Sequence, residues 1–143
     1  MIILDTSGVL SALDASDRHH EASARALRGA GAPRLLSPFV LAEIDYLLAT
    51  RVSTRVQRTF LREVAAGAYR LEGFDSGDVA EANEVLDRYP DLGLGLADAS
   101  LVVLARRYRV TDILTLDERP FRVIKSIDDR PIRVLPSDAS LPR

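Results

Sequence analysis

Short apolar runs alternate with longer amphipathic segments along almost the whole chain. Runs rich in Ile, Leu and Val are typical of buried β-strands, and apolar residues repeated every three or four positions between cap and glycine signals are typical of α-helices. The predicted strands cover residues 2–4, 35–36, 69–74, 113–116, 123–124 and 132–135. One predicted helix begins after Thr6-Ser7-Gly8, and another begins at 75 or 76 and ends before Pro90. The others cover residues 18–28, 39–50, 54–66 and 96–108.

This alternation predicts an α/β fold with a mostly parallel central sheet flanked by helices. A chain of 143 residues fits one domain, residues 1–143, with 138–143 as a loose tail. Ligands of such sheets bind beyond the carboxyl ends of the strands. Asp5 follows the first predicted strand and Asp117 follows the strand at 113–116, so we expect both acids at that edge.

Two further acids interrupt apolar helical faces. At about 100° per residue, Glu43 falls on the apolar stripe of the helix at 39–50 and is expected to face inward. Asp45, on the same helix, is expected on the solvent side. Asp98 falls on the apolar face of the helix at 96–108, within the first turn. An ionised carboxylate is costly to bury without a partner, so these positions are candidates for a functional site.

Each of the four acids has an ordinary explanation when it is considered alone. A lone acid after a strand is usually a cap or turn residue, as at Asp5, or a loop residue, as at Asp117. Glu43 fits a core acid paired with an arginine, and Asp98 fits an acid favoured by the helix dipole. One shared site explains all four positions better. Two carboxylates about 5 Å apart repel by roughly 3 kcal/mol at an effective dielectric of 20, so such a site requires a cation.

The composition restricts the identity of that cation. The chain has no cysteine and two histidines, His19 and His20, which are adjacent and would diverge by about 100° on a helix. Zinc sites normally need more nitrogen or sulfur ligands, so a hard cation held by oxygen is expected, such as Mg²⁺, Mn²⁺ or Ca²⁺. Acyl transfer fits poorly because no nucleophile–base pair is visible.

Charge and hydropathy bear on the compartment and on the partners. No apolar run approaches the ~20 residues of a membrane span, and the start of the chain lacks the basic region of a signal peptide, so we expect a cytoplasmic protein. The net charge of −2 argues at first against nucleic acid as a partner. All but one of the 19 basic residues are arginines, however, and arginine is well shaped for phosphate contact.

Four of the arginines recur in steps of four, three and four residues: Arg51, Arg55, Arg58 and Arg62. This spacing predicts a basic stripe on a helix. A solvated face is the ordinary interpretation; the alternative is a track for RNA phosphates or for an acidic segment of a partner.

The acidic segments resemble those of the PIN-domain nucleases, and among them the VapC-like toxins of bacterial type II toxin–antitoxin pairs. Ile2-Ile3-Leu4-Asp5-Thr6-Ser7 is similar to the family's opening strand and first metal-binding acid. The second, third and fourth acids are matched by Ser37-Pro38-Phe39-Val40-Leu41-Ala42-Glu43, Leu96-Ala97-Asp98-Ala99-Ser100 and Leu114-Thr115-Leu116-Asp117. Order and spacing agree across nearly the whole chain.

The resemblance implies a three-layer PIN-like fold and an Mg²⁺- or Mn²⁺-dependent endoribonuclease that hydrolyses tRNA or rRNA through metal-activated water. It also implies a homodimer and a cognate antitoxin that inserts a segment near the acids. By position, Asp5 and Asp98 would be direct metal ligands, with Glu43 and Asp117 completing the pocket. Thr6 and Thr115 would hold a metal-bound water or a neighbouring carboxylate. Many relatives carry His before the Phe that follows the fourth acid, whereas this chain has Pro120.

Two alternatives stay open at this point. The first is a non-catalytic PIN-like binding module that acts through assembly of an antitoxin–operator complex; the intact set of four acids argues against it. The second is a phosphoacceptor receiver domain, also a small α/β fold with acids at strand ends. Such a domain would need an acidic neighbour of Asp5, which is absent, and a late lysine, for which only Lys125 is available.

Overall fold

In the computed structural model, which describes residues 1–125 and 129–142, five parallel strands form a central sheet. The strands are β1 (Ile2–Leu4), β2 (Arg34–Leu36), β3 (Arg70–Leu71), β4 (Asp112–Leu114) and β5 (Arg133–Leu135). They lie in the order β3-β2-β1-β4-β5. The first strand is therefore the central one, and it is completely buried.

The strand order creates a crevice beside β1. From β1 the chain adds β2 and β3 on one side, and it then returns to add β4 and β5 on the other. Ile3 is accordingly aligned with Leu35 of β2 and with Ile113 of β4. The strand order therefore reverses between β1 and β4, although all strands stay parallel, and ligands of open α/β sheets bind at such a switch point, beyond the carboxyl ends of the strands.

Helices connect the strands and cover the sheet. They are α1 (Thr6–Leu13), α2 (His20–Gly29), α3 (Pro38–Leu47), α4 (Thr54–Ala65), α5 (Ser76–Arg88), α6 (Leu96–Tyr108) and α7 (Glu118–Val123). A π-helical turn (Leu48–Val52) and a 3₁₀ turn (Pro90–Leu92) lie between them. The starts of several helices follow from local capping chemistry: Asp5, Ser37, Ser53 and Asp75 each accept a backbone N–H with their side chains.

The most deeply buried helix is α6. Seven consecutive residues, 99–105, are buried, because the helix packs against α3, α5 and β1. Burying side chains such as Leu101 and Leu104 contributes about 1.5–3 kcal/mol each. The helix that carries Asp98 is therefore firmly anchored in the core.

Most predicted elements are confirmed, and the bounds of α6 agree with the prediction at both ends. The strand predicted at 123–124 is wrong: Val123 ends α7 and is 52% exposed. Two apolar residues are too few to distinguish a strand from the last turn of a helix. The strand predicted at 69–74 is reduced to Arg70–Leu71 at the sheet edge.

The segment predicted as a loose tail begins with an anchored residue. Asp138 is buried and accepts two hydrogen bonds from the Arg122 guanidinium and one from Val134 N. Leu141 is exposed, and Arg143 lies outside the described residues. In the described part of the chain, no helix is both long and apolar enough to cross a membrane.

Candidate active site

The four acids singled out from the sequence lie at the carboxyl end of the sheet or on helices that start there. Asp5 directly follows β1, and Asp117 follows the end of β4 by three positions, after Thr115 and Leu116. These two strands flank the switch point of the sheet. Asp98 lies in the first turn of α6, and Glu43 lies on α3, which follows β2.

Asp5 is the most buried of the four, at 5% exposed. As the N-cap of α1 it accepts a hydrogen bond from Thr6 N at 2.8 Å, and its second oxygen accepts one from Thr115 Oγ1 at 2.6 Å. Burial, together with the nearby charges of Asp98 and Glu43 and against these two hydrogen bonds, raises the pKa of Asp5 to about 6. Ionised Asp5 is therefore costly without an added positive charge.

Asp98 is half-buried at the N-terminus of α6. Its Oδ2 accepts a hydrogen bond from Gly95 N at 3.1 Å, so it caps its own helix. Burial raises the pKa of Asp98; the Gly95 N–H lowers it, and the charges of Glu43 and Asp117 raise it. The predicted one-sided apolar face is wrong for this helix, because residues 99–105 are buried on all sides.

Glu43 does not face the core, contrary to the prediction. The buried stripe of α3 runs through Val40 and Ile44, and Glu43 lies beside it, exposed to solvent. Its Oε1 accepts a hydrogen bond from Thr6 Oγ1 at 2.7 Å, so its carboxylate is held over the start of α1. Asp45, expected to be solvated, is instead half-buried and accepts a hydrogen bond from Gln57 Nε2 at 2.7 Å.

Asp117 is exposed at the rim of the site. It is the N-cap of α7 by position, but its side chain makes no capping hydrogen bond. Its backbone N–H donates to Thr115 Oγ1 at 3.0 Å. Thr115, completely buried, therefore binds both the first acid, Asp5, and the backbone of the fourth.

The four acids interact by repulsion alone. The charges of Asp98 and Glu43 raise the pKa of Asp5, and those of Glu43 and Asp117 raise the pKa of Asp98. The ion pairs of the described residues join arginines to other acids, and none includes one of these four. The described residues therefore place no neutralising cation in ion-pair contact with the cluster, while its charges disfavour the ionised forms of Asp5 and Asp98.

The donor set suits a hard divalent cation. Carboxylate and hydroxyl oxygens are the ligands that Mg²⁺ and Mn²⁺ prefer, and Thr6 adds a hydroxyl beside Asp5 and Glu43. In their present positions, no three His, Asp or Glu side chains of residues 1–125 and 129–142 are grouped to hold a metal ion. Hydrogen bonds to the protein hold the carboxylates instead, as between Asp98 and Gly95.

All four arginines predicted to form a stripe are exposed: Arg51, Arg55, Arg58 and Arg62. The last three lie on α4. Arg51 belongs to the preceding π-helical turn, and Ser53 is extended, with φ −166°, between the two helices. The prediction of one continuous helical stripe is therefore wrong at Arg51.

Comparison with known proteins identifies the fold and its family. The family model for the PIN domain matches residues 2–126. The chain belongs to the PIN-domain family. Ribonuclease VapC26 of Mycobacterium tuberculosis (strain ATCC 25618 / H37Rv) is 38% identical over 135 residues, which cover 94% of this chain and 100% of that protein. The sequence-based assignment to the VapC-like PIN domains is confirmed.

The PIN-domain architecture is shared with a solved structure. The crystal structure of M. tuberculosis VapC20, described as a toxin that cleaves the sarcin–ricin loop, superposes with a TM-score of 0.76. The match covers 82% of this chain and 90% of that one, at 22% sequence identity. This likeness confirms the predicted α/β fold.

One position differs from the pattern that the resemblance implies, and several polar contacts near the acids are not predicted from the sequence. Pro120, the position for which the resemblance implies His, is buried in α7 and offers no polar side chain. Ser7 bonds to the chain after β4, and Ser37 bonds to Ser100 at 2.7 Å. Glu72 is a further buried acid. The signals in the sequence were ordinary serines at helix starts and an acid in an alternating segment.

Proposed function

We propose that this PIN-domain protein is a metal-dependent endoribonuclease, the toxin of a type II toxin–antitoxin pair. The observation that carries the proposal is Asp5, a buried carboxylate that has other acids and no cation around it among the described residues. Kinship with a VapC ribonuclease supports RNA as the substrate. RNA and an antitoxin would both be met in the cytoplasm, which is where we place the protein.

Mg²⁺ is the proposed metal, with Mn²⁺ as a substitute, and Asp5 and Asp98 are its proposed ligands. Glu43 and Asp117 would complete the pocket from the rim, where both are exposed. When bound, such an ion lowers the pKa of water and offsets the negative charge that develops on a phosphodiester under attack. The repulsion among the four acids favours binding of the cation because binding relieves it.

The residues around the acids would fix the carboxylates rather than react. Thr115 holds one oxygen of Asp5, and Thr6 holds Glu43. Because the Thr115 hydroxyl donates to the Asp5 carboxylate, it lowers the pKa of Asp5 and favours the ionised form that binds a cation. The anchored helix α6 keeps Asp98 at the crevice, which limits the reorganisation needed when metal and substrate bind.

The arginines of α4 are the proposed contact for a polyanion. Arg55, Arg58 and Arg62 are exposed on α4, and Arg51 lies just before it. RNA phosphates and an acidic antitoxin segment share the chemistry that such a surface binds. We further propose that the protein is a homodimer and that the antitoxin inserts a segment near the acids. tRNA or rRNA is the proposed substrate class.

The proposal is tested by cleavage of structured RNA with Mg²⁺ and with EDTA. Substituting a residue that supports a metal ligand lowers metal affinity or activity about 10–100-fold. Loss of a direct ligand in Asp5→Asn or Asp98→Asn should therefore lower cleavage by more than ~100-fold. Asp87→Asn is the matched control because Asp87 is exposed on α5. Cleavage that survives both site variants would reject the assignment. A wild-type protein that binds the antitoxin but neither Mn²⁺ nor RNA would favour the non-catalytic binding module.

A further inference from the structure

Ser7 links the two segments that carry the first and fourth acids. It lies in the first turn of α1, two positions after Asp5. Its Oγ lies 2.9 Å from Leu116 N and 3.2 Å from Thr115 Oγ1, contacts that join residues more than 100 positions apart in the chain. No step of the proposed function above uses this side chain.

The direction of these hydrogen bonds follows from counting protons. Thr115 Oγ1 has one proton, which it donates to Asp5 Oδ2 at 2.6 Å. In the contact between Ser7 and Thr115, Ser7 must therefore be the donor. The lone pairs of Ser7 Oγ then accept the Leu116 N–H. The result is a directed chain from Leu116 N through Ser7 and Thr115 to the Asp5 carboxylate.

The same chain fixes the backbone on the way to Asp117. Thr115 Oγ1 also accepts a hydrogen bond from Asp117 N at 3.0 Å. With one proton donated and two accepted, the Thr115 hydroxyl has no bonding capacity left over. Chains of hydrogen bonds polarise one another, so removing Ser7 would weaken the bonds of Thr115 to both acidic segments.

A close approach of α1 to β4 makes these contacts possible. A Cβ at Gly8 would lie 2.5 Å from the Leu114 carbonyl oxygen at the end of β4. Only a residue without a side chain permits this approach, and the approach brings the neighbouring Ser7 hydroxyl within reach of Thr115 and Leu116. The geometry therefore depends on the Ser7-Gly8 pair rather than on a flexible contact.

We infer that Ser7 is a positioning residue of the metal site: through Thr115 it fixes the Asp5 carboxylate, and through Thr115 and Leu116 N it fixes the 115–117 segment, in the arrangement that binds a divalent cation. The inference rests on the proposed function, since it assumes that Asp5 binds metal. It assigns to Ser7 no contact with RNA or with the reacting atoms.

The test uses Mn²⁺ alone as the probe and measures its affinity by electron paramagnetic resonance. Ser7→Ala should weaken Mn²⁺ binding by about 10-fold, the lower end of the range for residues behind a metal ligand. It should also lower kcat for RNA cleavage and leave KM unchanged. Ser11→Ala is the matched control: Ser11 is a buried serine of the same helix whose Oγ donates to Asp17, away from the site. That variant should keep the wild-type affinity.

A double-mutant cycle tests whether Ser7 acts through Thr115. In a Thr115→Val background, Ser7→Ala should cause a smaller loss of Mn²⁺ affinity than in wild type, because the link to Asp5 is already broken and only the bond from Leu116 N remains to be lost. Three outcomes would each overturn the inference and leave the proposed function standing. They are equal Mn²⁺ affinities of wild type and Ser7→Ala, equal losses of affinity in Ser7→Ala and Ser11→Ala, and additive losses of affinity in the cycle. Wild-type protein that binds no Mn²⁺ would overturn both.

Discussion

Asp5 and Glu72 are carboxylates of similar burial, 5% and 8% exposed, and each directly follows a strand of the sheet. Glu72 is surrounded by positive and neutral donors. Arg70 Nε lies 2.8 Å away, Arg107 Nη1 lies 3.6 Å away, and the Tyr108 hydroxyl donates to it at 2.6 Å. Asp5 accepts two hydrogen bonds and is otherwise affected by the negative charges of other acids.

The difference shows that burial alone does not mark a functional acid. A buried charge must be compensated, and the chain compensates Glu72 with its own cations. That cluster joins β3, α5 and α6, because Arg107 also pairs with Asp78 at 3.0 Å. Around Asp5 the described chain supplies no cation, so the compensation has to come from a bound ion or from a proton. The partners of a buried acid therefore distinguish the structural carboxylate from the proposed catalytic one.

The sharpest test of this contrast is the pH dependence of stability without metal. Unfolded Asp5 should ionise near its ordinary pKa of 3.8, whereas folded Asp5 ionises at about 6. Between these values the folded state binds more protons, so the free energy of unfolding decreases as pH rises. The difference between these two pKa values corresponds to a loss of up to about 3 kcal/mol, which develops as pH rises from ~4 through the folded pKa and is complete above ~7.

Urea denaturation in EDTA between pH 4 and pH 8 measures this loss. Asp5→Asn removes the ionisation and keeps a good helix N-cap, so the variant should lack this part of the decrease and be more stable than wild type at pH 8. Adding Mn²⁺ should raise the free energy of unfolding of the wild-type protein and have little effect on that of Asp5→Asn. Parallel pH profiles for the two proteins would show that Asp5 is compensated by the chain itself, and the contrast with Glu72 would be lost.

The second test removes the charge of the other acid. Glu72→Gln should lower the free energy of unfolding by about 2 kcal/mol, since hydrogen bonds to charged groups are worth about 1.5–3 kcal/mol and the arginines are partly solvated. Cleavage by the folded variant should not change. Glu84→Gln, on the exposed surface of α5, is the control and should stay within about 0.5 kcal/mol of wild type. A loss of cleavage in folded Glu72→Gln would place Glu72 in the active site.

The sequence predicted the sheet, the bounds of α6 and the family because these depend on local periodicity and on motifs in register. The α6 helix carries a long apolar pattern between Gly95 and Arg109, and such segments leave little ambiguity. Two apolar residues at 123–124 carried too little information, and they belong to the end of α7. The positions of Asp5 and Asp117 were predictable because strand ends share one edge of a parallel sheet.

The orientation and the partners of the site residues depend on tertiary contacts. Glu43 lies beside the buried stripe of Val40 and Ile44, one position before Ile44. The helical period alone does not determine which of these neighbouring positions faces the core. Ser7 meets Leu116 across 109 positions of the chain, and no local pattern encodes such a contact. Glu72 was not singled out because its neighbours along the chain alternate as in an ordinary strand, while Tyr108 and Arg107 reach it from helix α6.

The mildest test deletes one hydroxyl in each region. Tyr108→Phe removes the hydrogen bond to Glu72 and should cost about 1 kcal/mol of stability, with Mn²⁺ affinity unchanged. Thr115→Val removes the hydrogen bond to Asp5 and should weaken Mn²⁺ binding by about 10–100-fold. Denaturation and Mn²⁺ titration of both variants make the comparison direct. If Tyr108→Phe weakened Mn²⁺ binding as much as Thr115→Val, the Glu72 cluster would have to be coupled to the acidic site along α6, and the two carboxylates would no longer have separate roles.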